Sequence, residues 1–284
     1  QNAFILPTFY TIMLDKLATE LKIRGFSQKT VESYLLHNKQ FLDFVKKEPM
    51  QIEEQDVKNY MAYLMSEKQY KPRSMSLALS SLKFFYENIL NKNIMGKIKT
   101  PKLDKKIPVV LTNEEVKSLL NAIENPKHKI LISLMLSSGL RVSEAVSMKM
   151  EDINFEEKTL TVRSGKGKKD RLTIISTKLV DDIKEYLKEN KKENNPYLFP
   201  VRDTHVTIKL AQKVIKQSAR KANLSKRIYC HALRSTFATN LMNSGVNLRF
   251  IQALLGHANL STTELYTRVT TEELKKIKNP LDGI

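Results

Sequence analysis

The sequence predicts a mainly α chain folded as two domains, with a small β-hairpin or sheet confined to the C-terminal part. Three observations carry this. Through the first hundred residues, apolar side chains recur at helical spacing and no strand pattern interrupts them. From Asn91 to Val110 the periodicity fails, and Asn-Lys-Asn, Pro101, Pro108 and a run of lysines take its place. Beyond that point a single clear stretch pairs two β-branched arms across a glycine-rich centre.

Four helices are expected in the first part. The earliest lies ahead of Gly25 and carries Met13, Leu14, Leu17 and Leu21. Ser27 is placed to cap the next, whose apolar stripe is Tyr34, Leu35, Phe41, Leu42 and Phe44. The others run from about Glu53 to Glu67 and from Pro72 to Leu90. Phe84, Phe85 and Tyr86 read as core rather than as base-stacking platforms. Residues 1–97 are thus expected to form a small all-α domain. A basic linker over 98–111, holding Lys105 and Lys106, follows it, with the boundary near residue 105.

The second domain, 112–284, opens on Thr112-Asn113-Glu114-Glu115, which has the spacing of a capping box. A buried helix over Lys129–Ser138 leads to Gly139. The hairpin comes next: Thr159–Arg163, a turn over Gly165–Lys169, and Arg171–Ile175. Helices are expected again over Lys178–Glu189, Thr207–Ala222, His231–Asn243 and Leu248–Leu255, and from Thr262 onward.

Charge is the strongest clue from composition. Lys and Arg number 48 against 30 Asp and Glu, a net charge of +18 with a pI near 9.7. Both parts share the excess, with 15 basic and 10 acidic residues in 1–100 and 33 and 20 in the remainder. That spread argues against a detachable basic tail and points to a polyanionic partner met by both domains. Lysines on solvated helix faces are the plainer reading of the same count. The single cysteine, Cys230, excludes an internal disulfide or a cysteine-rich zinc site and fits a reducing cytosol. The five histidines show no metal-ligand spacing, so no metal and no cofactor are expected. The longest apolar run, Ile130 to Leu136, is far short of a membrane span. Phe4, Ile5 and Leu6 lack the basic flank of a signal peptide. A cytoplasmic protein is expected.

Five of the eight glycines, at 139, 165, 167, 245 and 256, fall within a few polar segments of the second part. His231 and Arg234, three apart, share one helix face. Singly these features have ordinary explanations: Arg141 paired to Glu144, Lys166 as an exposed turn lysine, Gly256 as a helix cap before His257, and Tyr266 as one tyrosine of ten. Their order is the specific signal. Arg141, Lys166, His231, Arg234, His257 and, nine residues on, Tyr266 resemble the active-site set of the tyrosine site-specific recombinase (phage integrase) family, in the family's order. The segments SSGLRVSEA, GKGKKDR, HALRSTFATNLMNSG and IQALLGHANLSTTELYTRV resemble it too.

The resemblance covers almost all of the second part, and the four-helix first part is similar to the family's core-binding, SAM-like domain. It implies two domains forming a C-shaped clamp around double-stranded DNA, and strand cleavage and rejoining through a 3′-phosphotyrosyl bond made by Tyr266. Under it Arg141 and Arg234 hold the phosphate, His231 is the base, Lys166 the acid and His257 a hydrogen-bond donor, with Glu144 in support. Lys105, Lys106, Lys168, Lys169 and Arg171 are the further DNA-contact candidates. The resemblance also implies a dimer on one site and a tetramer in synapse, joined through the tail Thr270–Ile284, unless that tail folds back in cis. Length and the lack of an integron-type insertion make the chain most similar to the short Xer recombinases that resolve chromosome dimers. Two departures stand out: Cys230 where proline is usual, and Ser235 where a second histidine is common. The alternatives are a mobile-element integrase or resolvase, a relaxing topoisomerase of related mechanism, and a catalytically silent DNA-binding protein.

Overall fold

A computed structural model describes residues 6–96, 98, 108–163, 170–190 and 195–256. Contacts divide the chain into two units, Gln1–Lys105 and Lys106–Ile284.

Among its described residues the first unit holds no strand; its α-helices are α1 (Leu6–Ile23), α2 (Gln28–Val45), α3 (Glu54–Ser66) and α4 (Pro72–Asn88), with a 3-10 turn at Pro49–Gln51. Local chemistry sets their ends. The Ser27 hydroxyl accepts from the Thr30 N–H at 3.2 Å, and Pro72 supplies the first residue of α4, where a missing N–H costs nothing. Leu17, Leu21, Phe41, Tyr60, Leu82, Phe85 and Tyr86 form the core. The buried Asn38 amide ties α2 to α4 by donating to the Tyr34 and Ser81 carbonyls. Phe84 lies at the edge of this core, packed edge-on against Phe26 and Tyr34.

The second unit is built around α6 (Pro126–Ser138), buried along most of its length. Its start precedes the expected Lys129 because the Asn125 side chain caps it and Pro126 occupies its first position. The other helices are α5 (Asn113–Asn121), α7 (Val142–Val146), α8 (Thr177–Asn190), α9 (Ile208–Lys221), α10 (Cys230–Asn243) and α11 (Leu248–Leu255). Thr112 and Glu115 form the capping box of α5 reciprocally, at 3.2 and 2.8 Å.

Two small antiparallel sheets complete the unit. β1 (Ile153–Asn154), β2 (Thr159–Val162) and β3 (Arg171–Ile174) lie in that order, with Val162 opposite Arg171 and Thr159 opposite Ile174. β4 (Pro200–Val201) pairs with β5 (Thr204–His205). The two expected strands are therefore paired, and the expected turn over Gly165–Lys169 lies outside the described residues. Strands β1, β4 and β5 were not expected, because a two-residue strand shows no periodicity. α11 packs on β3 and α10, which places the end of α11 beside the start of β3.

Among the described residues no helix is long and apolar enough to cross a membrane, and no group of three His, Cys, Asp or Glu is placed to hold a metal ion.

Candidate active site

The site grows from two helix ends. α6 stops at Gly139, which takes a left-handed conformation at φ +61°. A β-carbon there would lie 2.9 Å from the Leu255 side chain and in collision with the Phe237 ring, so only glycine fits. The tight exit leaves Arg141 as the N-cap of α7 with Glu144 three residues on. Glu144 accepts from the Arg141 backbone N–H at 2.8 Å and from its Nη1 at 2.7 Å.

A second arginine reaches the same carboxylate from the start of β3. Arg171 donates Nη1 to Oε1 at 2.9 Å and Nη2 to Oε2 at 2.6 Å, a fork matched to both oxygens. Its Nε donates to the Leu254 carbonyl at 2.9 Å. Arg234 comes from α10 and is only 1% exposed. Its Nη1 donates to the Gly139 carbonyl at 2.6 Å and its Nη2 to the Leu255 carbonyl, and Nη1 stands 4.0 Å from Glu144. The Arg141 Nη2 lies 3.5 Å from the Gly256 carbonyl. Three guanidiniums thus meet one carboxylate and three successive carbonyls at the C-terminal end of α11, where the helix dipole favours cations. Gly256 closes that helix at φ +64°, and a β-carbon on it would come within 2.7 Å of Arg171 Cδ.

Burial by itself raises the Glu144 carboxyl. The Arg171 hydrogen bonds, the Arg141 N–H and the charge of Arg171 outweigh that and bring it down to about 2. His231, one turn before Arg234 on α10, is exposed on the same pocket. Partial loss of solvent, then the positive charges of Arg234 and Arg141, lower its pKa from the ordinary 6.5 and keep the ring neutral at neutral pH. The pocket holds about 470 Å³. Arg141, Lys216, Arg227, Tyr229, His231 and Arg234 line it. Lys216 and Arg227 were not among the expected site residues because neither stands in a motif, and only the fold turns them to this cavity.

Of the residues singled out in the sequence, the structure brings Arg141, Glu144, Arg171, His231 and Arg234 together. Arg171 is the correction among them. It was expected at the DNA surface with Lys168 and Lys169, yet its side chain is 8% exposed and its donors are committed to Glu144 and Leu254. Lys105, Lys106, Lys166, Lys168, Lys169, His257, Tyr266 and the tail Thr270–Ile284 lie outside the described residues.

Residues 109–273 match the phage integrase family, and residues 13–95 match the N-terminal SAM-like domain of phage integrases. The tyrosine recombinase XerA of Pyrococcus horikoshii is 37% identical over 268 residues, covering 93% of this chain and 91% of that protein. XerA of Pyrococcus furiosus is 37% identical over 275 residues, with 95% and 93% covered. Among solved structures, a XerA recombinase aligns at 30% identity and TM-score 0.54 over 94% of this chain and 96% of that one. The fold also matches XerH recombinase bound to its difH substrate, at 23% identity and TM-score 0.76, with 93% and 82% covered. The chain belongs to the phage integrase family and is a tyrosine recombinase, most similar to the Xer recombinases.

Proposed function

We propose that this recombinase breaks and rejoins DNA at a specific site by forming a 3′-phosphotyrosyl bond through Tyr266. Site-specific recombination of the Xer type is the activity its relatives carry. The observation that carries the residue-level reading is the pocket itself, where Arg141, Arg234 and a neutral His231 converge beside Lys216 and Arg227. A phosphodiester shares one negative charge between two non-bridging oxygens, and Arg141 and Arg234 are the pair suited to hold them. Tyr266 attacks phosphorus, the bond to the 5′-oxygen breaks, and its electron pair leaves with that oxygen. The tyrosine proton passes to His231, which is unprotonated at neutral pH, and Lys166 supplies a proton to the leaving oxygen. His257 donates to the phosphate, and Glu144 fixes the Arg141 guanidinium. Attack of a new 5′-hydroxyl on the phosphotyrosine reverses the step, so no nucleotide cofactor enters.

The partner is double-stranded DNA, and Lys105, Lys106, Lys168 and Lys169 are the remaining candidates for backbone contact. We assign a dimer to a single site and a tetramer to the synapse, joined in a cyclic arrangement by the tail Thr270–Ile284. An enzyme acting on chromosomal DNA works in the cytoplasm at the nucleoid. Residues 1–97 are read as the core-binding domain, 98–111 as the linker and 112–284 as the domain that performs the chemistry.

The test is covalent capture. Genomic fragments bound to the denatured protein are sequenced to define the site, and a nicked suicide duplex built on it is offered to wild type and to Tyr266→Phe. Wild type is expected to form the covalent complex and Tyr266→Phe to form none. A complex with Tyr266→Phe overturns the nucleophile, and none with wild type overturns the enzyme reading.

A further inference from the structure

The Glu144 ion-pair network contains a guanidinium that the proposed chemistry does not use. Arg171 has its donors committed to Glu144, which also holds Arg141, and to the Leu254 carbonyl, next in the chain to the Leu255 carbonyl that holds Arg234. Glu144 has two oxygens and three arginines around it. Arg171 takes both oxygens in a fork. Arg141 takes one with its side chain and the other with its backbone N–H, and Arg234 stands off at 4.0 Å. Coulomb attraction at that separation in a mostly enclosed site is substantial. What keeps Arg234 from closing on Glu144 is that the carboxylate is already occupied and that Arg234 is anchored to Gly139 and Leu255.

We infer that Arg171 is a positioning residue: by occupying Glu144 and bonding the Leu254 carbonyl, it keeps Glu144 from capturing Arg234 and leaves that guanidinium anchored to Gly139 and Leu255 at the wall of the pocket assigned to the scissile phosphate. Arg171 also fastens the turn end of the β2–β3 strand pair, where it stands opposite Val162, to the last turn of α11, since one side chain bonds α7 and α11 at once. The close approach of Gly256 to Arg171 Cδ belongs to the same device, because no larger residue leaves room for the arginine stem. Lysine cannot replace the fork, as a single ammonium offers one point of charge and no planar pair of donors. The inference rests on the assignment of Arg141 and Arg234 to the phosphate.

The experiment is a cycle of variants on the nicked duplex recovered by covalent capture, with the single-turnover cleavage rate and the dissociation constant measured for each. Arg171→Met frees Glu144 to draw in Arg234, so cleavage is expected to fall by about 100-fold while DNA affinity stays within about threefold. Glu144→Gln alone turns an amide toward the unpaired Arg171 and also slows cleavage. The double variant Glu144→Gln/Arg171→Met keeps an acceptor for the Arg141 N–H but has no charge to capture Arg234, so it is expected to cleave faster than either single variant. Loss of packing alone predicts the opposite order, with the double variant slowest. Arg171→Lys, which preserves charge and fold, is expected to fall between wild type and Arg171→Met.

Cleavage by Arg171→Met within threefold of wild type, or a double variant slower than both singles, overturns the inference. Should Arg171→Met not fold, the test passes to Arg171→Lys, whose cleavage at the wild-type rate overturns it. Arg141→Ala and Arg234→Ala separate the two levels. If both cleave normally the phosphate assignment itself fails, whereas if both are inactive the Arg171 comparison stands on its own.

Discussion

Replacing Glu144 by glutamine tests how much of the second unit's stability resides in one carboxylate. In the folded protein its pKa is about 2 against an ordinary 4.5, because the Arg171 and Arg141 donors outweigh the cost of burial. A folded-state pKa depressed in this way contributes stability above the unfolded value, and that contribution is lost as pH falls through 4.5 toward 2. The displacement corresponds to about 3 kcal/mol at pH 7. Solvent screening reduces this little, since the two side chains are 9% and 8% exposed. The assay is urea denaturation of wild type and Glu144→Gln across pH 2 to 7, followed by circular dichroism. The expected result is a gap of about 3 kcal/mol at pH 7 that narrows to below about 1 kcal/mol near pH 2. If the two units unfold separately, only the transition of the C-terminal one should move. A gap under about 1 kcal/mol at pH 7, or one that does not change with pH, refutes the reasoning.

Gly139→Ala forces a β-carbon into Phe237 and Leu255 at φ +61°, and is expected to cost about 2 kcal/mol or more in thermal or urea unfolding. Thr236→Val removes the hydroxyl that accepts the Leu111 N–H at 3.0 Å and donates to the Ala232 carbonyl. With Leu111 buried, the orphaned N–H should cost about 1–3 kcal/mol in the same measurement. The His231 ring should titrate below 6.5 in an NMR pH series. Arg141→Gln should move its midpoint upward by removing one of the positive charges that lower it. Wild-type cleavage at constant ionic strength should accordingly decline toward acid pH as the ring takes up its proton.

Most helices were legible because their signals are local. Ser27, Thr112 and Thr207 each cap the helix that the apolar spacing announces, and each bonds the N–H three residues on. The relations that depend on distant parts of the chain were not legible. In β3 the apolar residues Leu172 and Ile174 face outward, 62% and 42% exposed, while Arg171 and Thr173 face in. Alternation read from the sequence points the other way, so it gave no reason to bury Arg171. The inward choice is set by partners far along the chain: Thr173 donates to the Ser138 carbonyl, and Arg171 to Glu144 and Leu254. Polar bonding decided the strand's orientation, and a hydrophobic pattern carries no record of it.

The same asymmetry explains why the site can hold charge before DNA arrives. Three guanidiniums against one carboxylate leave an excess of positive charge in a partly enclosed space, which is costly unless something opposes it. The three carbonyls of Leu254, Leu255 and Gly256 oppose it, each facing a different arginine at the negative end of α11. Glu144 neutralises one cation and the carbonyls solvate the rest without discharging them. The pocket thus presents fixed donors whose orientation is set in advance, the condition under which electrostatic stabilisation of a transition state needs least reorganisation. A second carboxylate in place of those carbonyls would balance the charge more fully and leave the pocket less suited to an anion.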